Sequence, residues 1–316
     1  FKTLVVNHIY HFSESDLKDL LEKCVSKKTL FVGISNSYMP KFVTRLIETV
    51  KPCLPSGCKL VMGGAFTEVD TFYENIDYTV LGFADLSIVN LAKHLRDGEQ
   101  LRRATKNIFG SIQIDDPVAE GFNISTSKME WHPDDMIFSG ERVLPLEISR
   151  GCIFSCKFCS YPLIGKKNND HIKLSSILRE ELLENHEKYG ITTYRILDDT
   201  FNDNIDKLDS FLEVVRSLPF SPKFWAYIRL DLLSKHPETI QKLVDIGVIS
   251  MTFGIETLNQ ETGRIIGKGY NPTKLVETIN YIKDTYGNSI NMFGHFIIGL
   301  PKESPQSTVD TANRIK

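Results

Sequence analysis

The chain has 316 residues, 41% hydrophobic and 24% charged, with a net charge of −3. That length supports two domains, no apolar run reaches the roughly 18 residues of a membrane-spanning helix, and the slight negative charge excludes a large nonspecific nucleic-acid surface. Six cysteines in this length do not make a disulfide scaffold.

Thr3, Leu4, Val5 and Val6 are apolar or β-branched and read as a strand, not as the core of a signal peptide. His8 and His11 lie near its end and read as polar loop residues. Ser13 with Asp16 three residues on marks an N-terminal capping box, opening a helix to about Val25 with Cys24 on its apolar face. Strands follow at 29–34, 59–62 and 78–81, with helices at 39–50 and 86–95. Cys53 and Cys58 flank a Pro-Ser-Gly turn and read as structural. Strand alternating with helix predicts a Rossmann-like, doubly wound parallel sheet over residues 1–101, with ligands beyond the carboxyl ends of its strands.

Residues 102–143 break the pattern with Gly, Pro, Asp and Asn, and read as a linker carrying a hairpin. From residue 144 the alternation returns with a longer repeat. Strands are expected at 146–149, 193–197, 224–228, 250–254 and 291–298, and helices at 175–188, 205–218, 237–245 and 272–284. Gly190 and Gly247 end helices, and Asn271-Pro272 opens one. Such β–α units predict a partial TIM-like barrel over 144–316, with catalytic groups at the carboxyl ends of its strands. The first residue is not Met and the last falls in a helical pattern, so the sequence reads either as a fragment that stops after the fifth unit or as an unusually short barrel.

Polar residues or glycines stand where each of these strands should end. They are Ser149-Arg150-Gly151-Cys152, Asp198-Asp199-Thr200-Phe201, Arg229-Leu230-Asp231, Glu256-Thr257 and Gly299-Leu300-Pro301-Lys302-Glu303. The first run leads into Cys152, Cys156 and Cys159, spaced C-x3-C-x2-C, with no later cysteine. A closed cubic iron–sulfur site takes four thiolates, so three leave one iron with an open position. A Cys3His zinc site completed by His171 would use the same thiolates, but no second knuckle accompanies it. A chance cluster of buried cysteines fits poorly with the interleaved Ser155 and Lys157.

This spacing resembles the radical S-adenosylmethionine (radical SAM) superfamily, and the surrounding motifs are similar to its subgroup with an N-terminal cobalamin-binding domain. The resemblance covers about residues 29 to 312. It implies a [4Fe–4S] cluster on Cys152, Cys156 and Cys159, with S-adenosylmethionine chelated at the open iron. Phe158 would touch the adenine. Asp198, Asp199 and Thr200 occupy the place of the motif that holds the amino group; capping the next helix is the alternative for the two aspartates. Arg229 would meet the SAM carboxylate or ribose, with a surface salt bridge as its alternative. Glu256 falls in Phe253-Gly254-Ile255-Glu256-Thr257, which pairs with Lys268-Gly269, and Gly299 falls in the motif lying along the adenine. In the first domain, Gly33-Ile34-Ser35, Met62-Gly63-Gly64-Ala65 and Val80-Leu81-Gly82-Phe83-Ala84-Asp85 resemble the cobalamin-binding motifs. Ser35 would hydrogen-bond a phosphate, while Gly63, Gly64 and Gly82 let a cofactor tail approach closely. The chain departs from that family in lacking D-x-H-x-x-G, and in having Gly82-Phe83-Ala84-Asp85 where Gly-Glu-Gly-Glu is usual.

The implied activity is reductive cleavage of S-adenosylmethionine, followed by cobalamin-dependent methylation of an unactivated carbon. Cobalamin-independent rearrangement, cyclisation or sulfur insertion is the alternative within the superfamily. A non-catalytic iron–sulfur or electron-transfer protein is the alternative outside it. The implied partners are a one-electron reductant such as flavodoxin or ferredoxin and a small-molecule or peptide substrate. Free thiols and an oxygen-sensitive cluster point to a reducing, cytoplasmic compartment.

Overall fold

The computed structural model describes residues 3–6, 9–35, 40–64, 75–82, 84–107, 110–116, 123–131, 133, 142–159, 172–268 and 271–314. His8, Ala65, Phe83, His171 and Gly269 lie outside them. The chain divides into two compact units, Phe1–Phe122 and Asn123–Lys316.

In the first unit the elements are α1 (Glu14–Cys24), β1 (Phe31–Ser35), α2 (Pro40–Val50), β2 (Lys59–Gly63), β3 (Tyr78–Gly82), α3 (Ala84–Asp97), β4 (Ala104–Lys106) and β5 (Ile112–Asp116). They build one sheet of order β1-β2-β3-β5-β4. Alternation along β2 sets its two faces. Leu60 and Met62 pack with Leu17 and Leu21 of α1 and Val43 and Ile47 of α2. Val61 packs with Val80, Leu91 of α3 and Ile114. Apolar residues on both faces of a strand require cover on both, and the helices supply it. Ser13 closes the capping box of α1 with Asp16 as expected.

Three expectations change here. Residues 3–6 form no strand, and Leu4 and Val5 are 62% and 63% exposed, so β-propensity without a pairing edge does not make a strand. His11 therefore follows a coil and sits in a short 3-10 turn, Ile9–His11. Cys24 is exposed at the last turn of α1 instead of on its apolar face. The hairpin of residues 104–116 lies within the first sheet, where β5 pairs in parallel with β3 (Tyr78 opposite Ile112) and β4 is its antiparallel edge. The first unit accordingly runs past residue 101 to 122.

The second unit carries β6 (Val143–Leu146), α4 (Ser175–Tyr189), β7 (Thr193–Ile196), α5 (Ile205–Arg216), β8 (Lys223–Ile228), α6 (Leu230–Lys235), α7 (Glu238–Ile246), β9 (Val248–Glu256), α8 (Gln260–Ile265), α9 (Pro272–Tyr286), β10 (Asn291–Phe296) and α10 (Pro305–Arg314). Its strands are all parallel and pair in chain order, β6-β7-β8-β9-β10. Sequential parallel pairing with helical crossovers is the order of a β/α barrel laid open. Tyr194, Ile196, Phe224, Ala226, Ile228, Met251 and Phe253 are buried in the core with the helices, whereas Arg195, Trp225 and Phe293 on the other face are exposed. Gly190 and Gly247 end α4 and α7 in the left-handed region, with φ of 67° and 98°. The first strand lies three residues earlier than expected, and the last is two residues shorter. β6 ends at Leu146, because Ser149 leaves β7 to bridge Ile172, and β10 ends at Phe296, leaving Ile298 78% exposed. Two one-to-two-turn helices, α6 and α8, were not legible in the sequence, being too short to show a 3.6-residue period.

Candidate functional site

The cysteine loop follows β6 and is held from three sides. Within it, the Cys159 amide donates to the Cys156 carbonyl (3.0 Å), closing a turn between the last two cysteines. From β9's side, the Lys157 amide donates to the Ile266 carbonyl at 3.0 Å. Gly267 lies against the loop backbone with φ of 85°, and a Cβ there would sit 3.6 Å from the Ser155 carbonyl oxygen. From β7's side, Cys152 Sγ meets Thr200 Oγ1 at 3.2 Å. All three thiols are partly buried and none is in a disulfide. Burial pushes the Cys152 thiol above its ordinary value, with the Thr200 hydroxyl opposing.

The two aspartates after β7 separate clearly. Asp198 is 3% exposed. It accepts from Ser149 Oγ at 2.6 Å, Lys207 Nζ at 2.7 Å and the Thr200 amide at 3.0 Å. Lys207 also reaches Asp203 Oδ1 at 2.5 Å and the Thr200 carbonyl at 3.2 Å. Burial lowers the Lys207 pKa, but the two carboxylates outweigh it and hold the ammonium above its ordinary value. Asp198 is therefore consumed in shaping the loop, and Asp199 is the exposed member of the pair. Neither caps α5; Asn204 does, accepting from the Lys207 amide at 3.3 Å.

Arg229 directly follows β8 and is buried, not a surface salt bridge. Its Nε and NH2 fork onto Asp231 at 2.9 and 2.8 Å. Its NH1 points at Cys156 Sγ, 3.7 Å away, and its plane covers the Phe154 ring at 3.6 Å. Burial opposes its charge, but the Asp231 carboxylate raises its pKa overall. Asn202 clasps the backbone of Arg229, accepting from its amide at 2.8 Å and donating to its carbonyl at 3.0 Å.

At the end of β9, Glu256 has φ of 68°, a left-handed conformation that costs a non-glycine residue about 1–3 kcal/mol and is typical of functional sites. Its carboxylate lies 3.4 Å from Lys268 Nζ, which also bonds the Gly254 carbonyl. Lys268 faces the Phe158 ring, whose centroid is 5.9 Å from Nζ. Phe158 itself is 38% exposed. Gly299 follows β10 with φ of 86° and open space where a Cβ would be. Glu303 ties that loop to β9, accepting from Thr257 Oγ1 at 2.6 Å and from the Leu300 amide at 3.3 Å. The predicted residues of this unit thus all stand at the carboxyl ends of one parallel sheet. Sequence reasoning missed Lys207, Asn202 and Phe154. Of these, only Lys207 carries a signal, its i, i+4 spacing from Asp203.

The first unit lines up its own candidates. Ser35, Gly63 and Gly82 are the last residues of β1, β2 and β3. Ser35 pairs with Gly63, and Gly63 with Val80. Gly64 and Gly82 have φ of 117° and 75°, so both need glycine's freedom.

Three partly buried thiols share one loop, and thiolate is the donor type that holds an iron–sulfur cluster. Among the described residues, no three His, Cys, Asp or Glu side chains are gathered as a preformed metal site. No helix among those residues is long and apolar enough to cross a membrane.

The chain is 25% identical over 306 residues to an uncharacterised methyltransferase of Pyrococcus horikoshii, covering 90% of this chain and 64% of that protein. It is 26% identical to the bacteriochlorophyllide d C-8(2)-methyltransferase of Chlorobaculum tepidum, covering 84% of this chain and 58% of that one. The chain therefore spans about three-fifths of these relatives' length. Among solved structures it superposes on the radical S-adenosylmethionine methyltransferase TsrM of Kitasatospora setae, whose structure has cobalamin and a [4Fe–4S] cluster bound. That match has a TM-score of 0.73 at 14% identity and covers 95% of this chain and 64% of TsrM. The profile of the Radical SAM superfamily matches residues 146–315, from the end of β6 through α10, which is the stretch that builds the cysteine loop and its rim. With more than half of its length matched in this way, the chain belongs to the radical SAM superfamily.

Proposed function

We propose that this chain is a cobalamin-dependent radical SAM methyltransferase acting on an unactivated carbon. The observation that carries the reading is the placement of Cys152, Cys156 and Cys159 in one loop, knitted by Thr200, Arg229 and Gly267 to the carboxyl ends of β7 to β9. The three cysteines would hold a [4Fe–4S] cluster, and S-adenosylmethionine would lie over the rim. Bound there, these groups supply a one-electron cleavage of the sulfonium to methionine and a 5′-deoxyadenosyl radical, while methylcobalamin supplies a transferable methyl group.

The residues of the chain bind and orient. Asp199, Thr200 and Glu256 would supply oxygen acceptors for an amino group and a ribose, with Asp198 fixing the loop. Phe158 and the backbone at Gly299 flank the adenine. Ser35, Gly63, Gly64 and Gly82 receive the cobalamin tail at the edge of the first sheet, making 1–122 the cobalamin domain and 123–316 the radical SAM domain. Methylation is supported by the methyltransferase names of the relatives, which span most of this chain. A flavodoxin- or ferredoxin-like protein would supply the electron.

The test is anaerobic reconstitution with iron and sulfide, followed by S-adenosylmethionine and dithionite. Formation of 5′-deoxyadenosine supports the reading. An intact cluster with no 5′-deoxyadenosine favours a non-catalytic iron–sulfur protein.

A further inference from the structure

Arg229 is built with more care than a ligand-facing side chain needs. Three independent contacts fix it: the fork onto Asp231, the Phe154 ring under its plane, and the Asn202 clasp on its backbone. A guanidinium has five N–H donors. The Asp231 fork takes the Nε and NH2 side, which leaves NH1 as the free arm, and that arm is directed at a cysteine sulfur. Charge-assisted donors to cluster sulfurs stabilise the more negative, reduced cluster and raise its potential. Phe154 and Asp231 hold the donor in place through contacts that do not involve the sulfur.

We propose that Arg229 is a positioning residue for electron entry, donating a hydrogen bond from NH1 to the Cys156 sulfur and thereby easing reduction of the cluster. Asp231 is its counterweight, drawing the guanidinium charge away from the sulfur and limiting the effect. This inference rests on the proposed cluster at Cys152, Cys156 and Cys159, and it gives Arg229 a task distinct from contacting S-adenosylmethionine.

The experiment is an EPR-monitored redox titration of the reconstituted holoenzyme, with iron content measured for every variant. Arg229→Gln should shift the reduction equilibrium about tenfold toward the oxidised form, a midpoint about 59 mV more negative for a one-electron couple. Asp231→Asn should move the midpoint the opposite way, because the guanidinium charge then faces the sulfur uncompensated. A purely structural role would not produce shifts of opposite sign. In the wild-type enzyme, pulsed EPR on protein carrying 15N-arginine should show a nitrogen coupling to the reduced cluster, and this measurement needs no variant to fold. An unchanged midpoint in a fully loaded Arg229→Gln, or no 15N coupling in the wild type, overturns the inference. If wild-type protein loads no cubic cluster at all, the proposed function itself falls; if it loads and cleaves S-adenosylmethionine without these signatures, only the role of Arg229 does.

Discussion

At the residue scale, Lys207 shows how a loop can be fixed from beneath. Its ammonium is buried against Asp198 and Asp203, and Asp198 in turn accepts from Ser149 before the cysteine loop and from the amide of Thr200, whose hydroxyl meets Cys152. Removing one partner of a buried ion pair costs about 3–5 kcal/mol, since the remaining charge is left unpaired in a low dielectric. Lys207→Met should lower stability by that amount in urea titrations. The raised pKa gives a pH signature. Stability from this pair is fully present below the ordinary lysine value of 10.5 and is lost only as pH rises beyond it, through the raised folded value. Lys207→Met should remove that alkaline loss, measured as the thermal midpoint against pH. At the ligand set, Cys156→Ala should abolish cluster loading, read as iron per chain, while far-UV circular dichroism stays unchanged; retained loading would remove Cys156 from the set.

At the scale of elements, left-handed glycines end the helices that lead into β7 and β9. Two helix-ending glycines allow a direct comparison. Gly190 and Gly247 both have positive φ, but a Cβ at Gly190 meets nothing within 4 Å, whereas at Gly247 it would lie 2.4 Å from the Pro222 carbonyl oxygen. The left-handed conformation alone costs an L-residue about 1–2 kcal/mol. Gly190→Ala should cost about that much. Gly247→Ala should cost clearly more, because the clash is with backbone at the entry to β8 and β9; equal losses in a denaturant series would show that the backbone there yields freely. The caps were legible in the sequence because Gly after an apolar period and Asn before Pro act locally. The ends of β6 and β10 were not, since pairing partners decide where a strand stops.

At the scale of the whole molecule, the chain joins two sheets, the first with an antiparallel edge strand and the second all parallel, each with its candidate groups at the carboxyl ends of its parallel strands. Their chemistry should be separable. Gly82→Val places a β-branched residue at φ of 75° on the edge of the first sheet. It should lose hydroxocobalamin retention, seen in the absorption spectrum, yet still form 5′-deoxyadenosine; loss of both would tie the two activities to one structure. The sequence by itself determined the alternation of strands and helices, the cysteine spacing and the residues at the rim, because periodicity and capping are local and three thiols in eight residues need no tertiary knowledge. The tertiary structure alone decided that β4 and β5 extend the first sheet, that residues 3–6 stay outside it, that Asp198 is spent on Lys207 while Asp199 remains exposed, and that Arg229 turns one arm to Cys156. Each of these depends on which strand edge or polar group from elsewhere in the chain is available to pair, and only the folded arrangement brings those partners together.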